Sequence, residues 1–391
     1  MRVAFLFGAG ISIPAGMPST TDLTNSLLTG ERVTRESDMS YHLWQPDEQP
    51  TPCETYVPTI VNFLNYVRKL CEEFHGESHQ VNYEDLYHVV RQLHDSSRDE
   101  FENPALLPLA QRIREDLLDR RPRTGSITSV PYLASETARY TEDVVRQCLV
   151  WRDQDVTYLN WIAEACLDPS VCHADILTLN HDSLLDLMLR NSKVPFVDGF
   201  GECQRDGVRY WDPSEYDKAS PRTRLMKLHG SVDWSTFKDP VSGRLLTGIC
   251  VDSQALQNAE DAYSAEDMFF ARQGEPRMLI GTFNKILMYT VDMFADVYVR
   301  FYTALQATNH LVISGYSFGD KVINASIRRF LERDEKTRVV IIHPKPDELK
   351  STARGAIQNA WKAFRRQGKL RFVEAWIEDA DWTKMRDVIG G

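Results

Sequence analysis

Five short apolar runs in this chain each end in glycine or small polar residues, and stretches with helical spacing separate them. VAFLF at 3–7 leads into Gly8-Ala9-Gly10-Ile11-Ser12, and DILTL at 175–179 leads into Asn180-His181-Asp182. RLMKL at 224–228 is followed by His229-Gly230-Ser231. HLVIS at 310–314 runs into Gly315-Tyr316-Ser317-Phe318-Gly319-Asp320, and RVVII at 338–342 into His343-Pro344. Continuously apolar runs of this length suit strands covered on both faces of a parallel sheet. Strands alternating with helices predict an α/β fold: a Rossmann-like doubly wound parallel sheet. Such sheets bind ligands beyond the carboxyl ends of their strands. The five polar endings are therefore expected to converge on one edge. MLIGTF at 278–283 reads as a further strand.

Between the first run and the second the pattern changes. Val57, Ile60, Val61, Leu64, Val67 and Cys71 follow helical spacing, as do Leu86, Val89, Val90 and Leu93. Further helical patterns cover 106–118, 144–151 and 158–167, with a break around Pro122 and Pro131. Residues 30–55 are polar and show no period. The expected organisation is a sheet domain from 1–29 and 170–345, a helical insertion lobe at 30–169, and a C-terminal helix/strand extension at 346–391. A helix is expected to start near Ser19–Thr21, where hydroxyls can cap it.

A net charge of −11 argues against nucleic acid bound over the whole surface. Residues 350–371 run against this acidity, with seven Lys or Arg and no Asp or Glu, and Ile357, Trp361 and Phe364 share a helical spacing there. That stretch reads as an amphipathic surface helix, or as a docking or DNA-contacting patch. The seven cysteines are scattered and form no C-x-x-C pair, so no zinc ribbon is indicated. HGESH at 75–79 reads as a solvated loop, since its Glu is misplaced for a zinc protease helix. With no leader and no membrane-length apolar stretch, a cytoplasmic protein with reduced thiols is expected.

Gly8 and Gly10 let a backbone approach a pyrophosphate closely, and Ser12 adds a hydroxyl. Taken together, GAGISIPAGMP, TLNHD, LHG and SGYSFGD resemble, in order, the NAD loop, the Asn motif, the catalytic-histidine motif and the ribose loop of the sirtuin family. The variant resembles the antiphage-defence branch, and a chain of this length resembles the sirtuin-like subunit of sirtuin–HerA systems. The resemblance implies NAD+ as substrate, with Gly8, Ala9, Gly10 and Ser12 around the pyrophosphate and Gly315 and Ser317 at the ribose or pyrophosphate. It implies that Asn180 meets the nicotinamide ribose or a water, and that Asp182 orients the carboxamide or organises the pocket. It also implies His229 as general base, and Asp320 as pinning the loop that carries Gly315 and Ser317. Deacylating sirtuins carry a zinc module of paired cysteines after the histidine, where only Cys250 occurs here. The function implied is therefore NAD+ glycohydrolysis (an NADase) that depletes NAD+ in defence, with no zinc. The alternatives are an NAD-dependent protein deacylase and a non-catalytic NAD- or ADP-ribose-binding scaffold. The partners implied are further copies of the chain and a HerA-type ATPase, with DNA contacted only through the complex and no membrane.

Overall fold

The computed structural model describes residues 1–45, 56–76, 79–96, 103–118, 127–150, 154–204, 207–238, 244–250, 277–281 and 284–390. The chain divides into two compact units: Met1–Met17, Arg152–Met278 and Met288–Gly391 form one, and Pro18–Trp151 with Leu279–Leu287 forms the other.

The first unit is built on a seven-stranded parallel sheet. Its strands, labelled here in chain order, are β1 (Arg2–Phe7), β2 (His173–Thr178), β3 (Phe196–Val197), β4 (Thr223–Lys227), β5 (His310–Ser314), β6 (Arg338–Ile342) and β7 (Leu370–Val373). Their spatial order is β7-β6-β5-β1-β2-β4-β3, and every pairing is parallel. The strand order reverses at β1: the chain fills one side through β2, β4 and β3, then the other through β5, β6 and β7. This is the Rossmann-like doubly wound arrangement, with its switch point between β1 and β5. Register makes the five polar endings level. Phe7 stands opposite both Thr178 and Ser314, Thr178 opposite Lys227, and Ser314 opposite Ile342.

Helices flank the sheet. Trp161 of the Asn160–Leu167 helix and Trp382 of the Trp382–Gly390 helix both pack on Phe5 of β1, with ring centroids 5.9 and 6.2 Å away. The Asp292–Ala307 helix lies against β1 and β4. Val208–Tyr210, Trp234–Lys238 and Leu245–Cys250 form a small antiparallel sheet for which the apolar pattern gave no indication. MLIGTF is not a strand over its described residues. Met278 makes one isolated bridge with Gly230, residues 279–281 are irregular, and Thr282 and Phe283 lie outside the described residues.

The basic C-terminal stretch contributes to the core of the same unit. Ile357, Trp361 and Phe364 of the Ala356–Arg366 helix are all buried. Trp361 packs edge-on to Phe318 at 5.3 Å and lies 5.9 Å from Phe372 of β7. The apolar face is thus used internally, and Arg365 on the outer side pairs with Asp347 at 3.0 Å.

The second unit is helical, as its spacing predicts. Tyr56–His75, Tyr83–Ser96, Leu107–Leu117 and Val130–Leu149 are its long helices, and Val57, Ile60, Leu64, Val67 and Cys71 form a buried face of the first. Its Thr20–Thr29 helix opens with a capping box: Ser19 Oγ accepts from Asp22 N, and the Asp22 carboxylate accepts from Ser19 N. Within the segment read as aperiodic, Val33–Arg35 and Tyr41–Leu43 pair as a short hairpin. The hairpin is anchored by the buried Glu136, which accepts from Arg35 Nε at 2.7 Å and from Tyr41 Oη at 2.7 Å. His75 and His79 are half-buried, and His79 Nε2 bonds Asp85 at 2.7 Å, so the HGESH ends are structured.

Trp361→Ala is expected to lower stability by about 3–5 kcal/mol in urea unfolding, the range for emptying a large core site. Because the indole N–H of Trp361 has no hydrogen-bond partner, Trp361→Phe should cost much less. Equal costs for the two variants would contradict this packing.

Candidate functional site

Two glycine turns meet at the switch point. Gly8 N donates to Ser314 O at 3.1 Å and Gly10 N to Gly315 O at 3.0 Å. A Cβ on Gly8 would fall 2.6 Å from Gly315 O, and one on Gly10 would fall 2.7 Å from Gly315 Cα. Gly315 has φ +65°, and a Cβ there would meet Ile11 N at 2.4 Å. The three glycines are therefore required by the close approach of one backbone to the other. The N–H groups of Gly8, Gly10, Ile11 and Ser12 donate to the carbonyls of Ser314, Gly315, Gly8 and Ala9, rather than pointing outward at a pyrophosphate. Residues 9–11 and 13–15 form two successive 3-10 turns, closed by Gly16 at φ +81°; the first takes the donors of Ile11 and Ser12, and the facing carbonyls of Ser314 and Gly315 take those of Gly8 and Gly10. Ala9, Gly10 and Ser317 remain exposed.

Behind this turn lies a buried polar network. Asn180 Nδ2 donates to Ser12 Oγ at 2.9 Å, and Ser12 Oγ donates to Asp182 Oδ2 at 2.7 Å. The other carboxylate oxygen of Asp182 accepts from Leu184 N at 3.1 Å, where the Leu184–Asn191 helix begins. Burial raises the Asp182 carboxyl above its ordinary value, opposed by the Ser12 hydrogen bond and the Lys227 charge. Asn180 is 6% exposed, and its Oδ1 is buried with no hydrogen-bond partner. An unmet buried acceptor of this kind costs on the order of 1–3 kcal/mol.

A buried charge sits under the neighbouring strand ends. Lys227, the last residue of β4, is 4% exposed and pairs with Asp186 at 2.6 Å. It also donates to Ser231 Oγ at 2.7 Å and to Asp182 O at 3.2 Å. Ser231 Oγ donates to His181 O at 3.1 Å, and Val232 N donates to the same carbonyl at 2.9 Å. One ammonium group thus ties the turn after β2 to the turn after β4. Burial pushes Asp186 up to about 6, although Lys227 works against that shift. Burial also works to lower Lys227, but its carboxylate neighbours, led by Asp186, leave it raised.

His229 follows β4 and is buried. Its Nε2 lies 2.7 Å from Tyr289 Oη, and Tyr289 Oη donates to Asp320 Oδ2 at 3.2 Å. The Asp320 carboxylate is also 3.4 Å from His229 Nε2, while its other oxygen caps the Lys321–Arg333 helix by accepting from Val322 N and Ile323 N. Tyr289 is held by stacking on Tyr298 at 4.8 Å. Burial and the Asp320 charge push its phenol well above the ordinary range, so it keeps its proton. The His181 and His229 rings are 6.2 Å apart.

The predicted residues thus fall into three groups. Ser12, Asn180 and Asp182 are joined directly, Gly8, Gly10 and Gly315 by backbone contact, and His229 and Asp320 through Tyr289. Ala9 and Ser317 lie at exposed turn positions. His343, the fifth ending, accepts from Lys345 N in a local turn. The sequence pattern pointed to neither Tyr289 nor Asp186, and it gave Lys227 and Ser231 no role of their own. A lysine inside RLMKL was the visible signal for a buried ion pair; Tyr289, sixty residues from His229, carried none.

Fold and site together define a doubly wound α/β domain with buried polar networks at its strand ends. Residues 174–364 match the family model of the SIR2-like domain. The chain therefore contains a SIR2-like domain. Among solved structures it resembles a Sir2 bound to an inhibitor, 2′-O-acetyl-ADP-ribose and a deacetylated peptide, at 9% identity, with 100% of this chain and 93% of that one covered and a TM-score of 0.35. It also resembles a Sir2 homologue in complex with NAD, at 10% identity, covering 100% of this chain and 88% of that one with a TM-score of 0.34. Likenesses this distant assign no residue or activity to the chain. No curated protein matches it in sequence.

Lys227→Met should lower stability by about 3–5 kcal/mol, because it leaves Asp186 buried and uncompensated. The double variant Lys227→Met/Asp186→Leu should recover most of that loss. Urea unfolding of the singles and the double checks both statements, and strict additivity would contradict the pairing.

Proposed function

We propose that the SIR2-like domain binds NAD+ as a substrate and hydrolyses it to nicotinamide and ADP-ribose. The observation that carries this reading is the Asn180 side chain. Its amide nitrogen is fixed by Ser12, and its buried oxygen lacks a partner, at the strand ends that also deliver His229. A ribose hydroxyl or the attacking water is the donor that oxygen fits. Being neutral, the amide meets a developing ribosyl cation without forcing a fixed charge into the site.

In this reading the exposed tip of Ala9 and Gly10 and the Gly315–Ser317 turn face the diphosphate and its ribose. Asp182 acts through Ser12, holding Asn180 in one orientation. The bond from the ribose carbon to the nicotinamide nitrogen breaks with its electron pair leaving on nicotinamide. Water bonds to that carbon, and its proton passes to His229 and then to solvent. Imidazole titrates near neutral pH, which suits it to that transfer. Hydrolysis that depletes NAD+ in antiphage defence is the role we infer. Further copies of the chain and a HerA-type ATPase are the proposed partners that hold it in check.

The test is nicotinamide release from NAD+ by the purified chain, alone and with the proposed ATPase. Asn180→Ala and His229→Ala should each cut the rate by roughly 100-fold or more, with melting temperature as the control for folding. Unaltered turnover in both variants would sink the reading. Release that depends strictly on added acyl-peptide would make the domain a deacylase, and tight NAD+ binding without turnover in any assembly would make it a binding scaffold.

A further inference from the structure

We infer that Tyr289 and Asp320 are positioning residues that fix the tautomer of His229, placing its proton on Nε2 and making Nδ1 the nitrogen that accepts a proton. The inference rests on the reading of His229 as a base.

The argument counts hydrogens. A phenol has one, and an ionised carboxylate can only accept. Tyr289 Oη donates its hydrogen to Asp320 Oδ2 at 3.2 Å. The 2.7 Å contact between Tyr289 Oη and His229 Nε2 then needs a hydrogen from the other side, and only the ring nitrogen can supply it. The direct approach of Asp320 Oδ2 to the same nitrogen, at 3.4 Å, also calls for an N–H there. In the neutral ring the lone pair therefore sits on Nδ1. When Nδ1 takes a proton, the imidazolium is stabilised by Asp320 both directly and through the phenol.

The surroundings make this arrangement rigid. Asp320 Oδ1 is committed to Val322 N and Ile323 N at the helix start, so the carboxylate cannot rotate without uncapping the Lys321–Arg333 helix. Tyr289 is 5% exposed and stacked on Tyr298. Asp320→Asn is therefore a sharp test. The asparagine oxygen can keep the cap, while its NH2 now donates to Tyr289. The phenol hydrogen must then turn to His229 Nε2, which moves the ring proton to Nδ1.

The experiment uses full-length protein labelled with 15N-histidine, with the His229 signals assigned from a His229→Gln spectrum. Two-bond proton–nitrogen correlation spectra report the tautomer at a pH where the ring is neutral. The wild type should show Nε2–H and Asp320→Asn should show Nδ1–H. An Nδ1–H signal in the wild type, or an unchanged tautomer in Asp320→Asn, would overturn the proposal. In NAD+ turnover, Asp320→Asn and Tyr289→Phe should lower kcat by roughly 30-fold or more with little change in KM. Wild-type-like kcat in Asp320→Asn, measured where the wild type turns over, would overturn the role in catalysis. A wild type that never cleaves NAD+ would instead remove the base reading, and the spectra would still decide the tautomer.

Discussion

Backbone pressed on backbone at the switch point sets the geometry of this site. Gly8 and Gly10 meet Gly315 so closely that a single added Cβ on any of them would collide with main chain. The contact joins the ends of β1 and β5, the two strands where the sheet changes direction. A short run beyond it on one side is Ser12, which holds Asn180 and Asp182. A similar run beyond it on the other side is Asp320, which reaches Tyr289 and His229. Both polar networks therefore hang from one glycine contact, and their separation is set by main chain, which moves less than side chains do.

The other half of the site is referenced to a charge. Lys227 is too deeply buried to be solvated, so it must gather acceptors around itself. It collects Asp186, Ser231 Oγ and the carbonyl of Asp182. Those partners belong to the exits of β2 and β4, so satisfying the ammonium group locks the His181 turn to the residues that follow His229. An apolar residue at this place would pack, but it would leave the two turns without that common tie.

Much of this was legible in the chain. Apolar runs gave the strands, their polar endings gave the edge on which the site is built, and the register proves to be level because each run stops at the same depth in the sheet. Helical spacing gave the long helices of the second unit, and Ser19 with Asp22 gave a helix start. The glycines announced a close approach but not its partner: that partner is Gly315, and the amides are consumed in making the contact. The apolar face of Ile357, Trp361 and Phe364 announced an amphipathic helix but not the neighbours it covers. The Tyr289 contact was hidden for a physical reason. Its meaning lies in a hydrogen bond to a residue distant in sequence, and a lone tyrosine before a helix has no pattern of its own.

The two networks share a chemical form. On one side a carboxylate, Asp182, takes the hydrogen of a hydroxyl, Ser12, whose oxygen receives the N–H of Asn180. On the other a carboxylate, Asp320, takes the hydrogen of a hydroxyl, Tyr289, whose oxygen lies 2.7 Å from His229 Nε2. In each case the anion anchors a chain of donors that ends on a neutral functional group. At Asn180 the donor atom is turned inward to Ser12, and Oδ1 is left without a partner. In each network a hydroxyl stands between the carboxylate and the functional group, and at His229 the Asp320 carboxylate also approaches Nε2 directly at 3.4 Å, which in the proposed hydrolysis would favour a ring that takes up a proton.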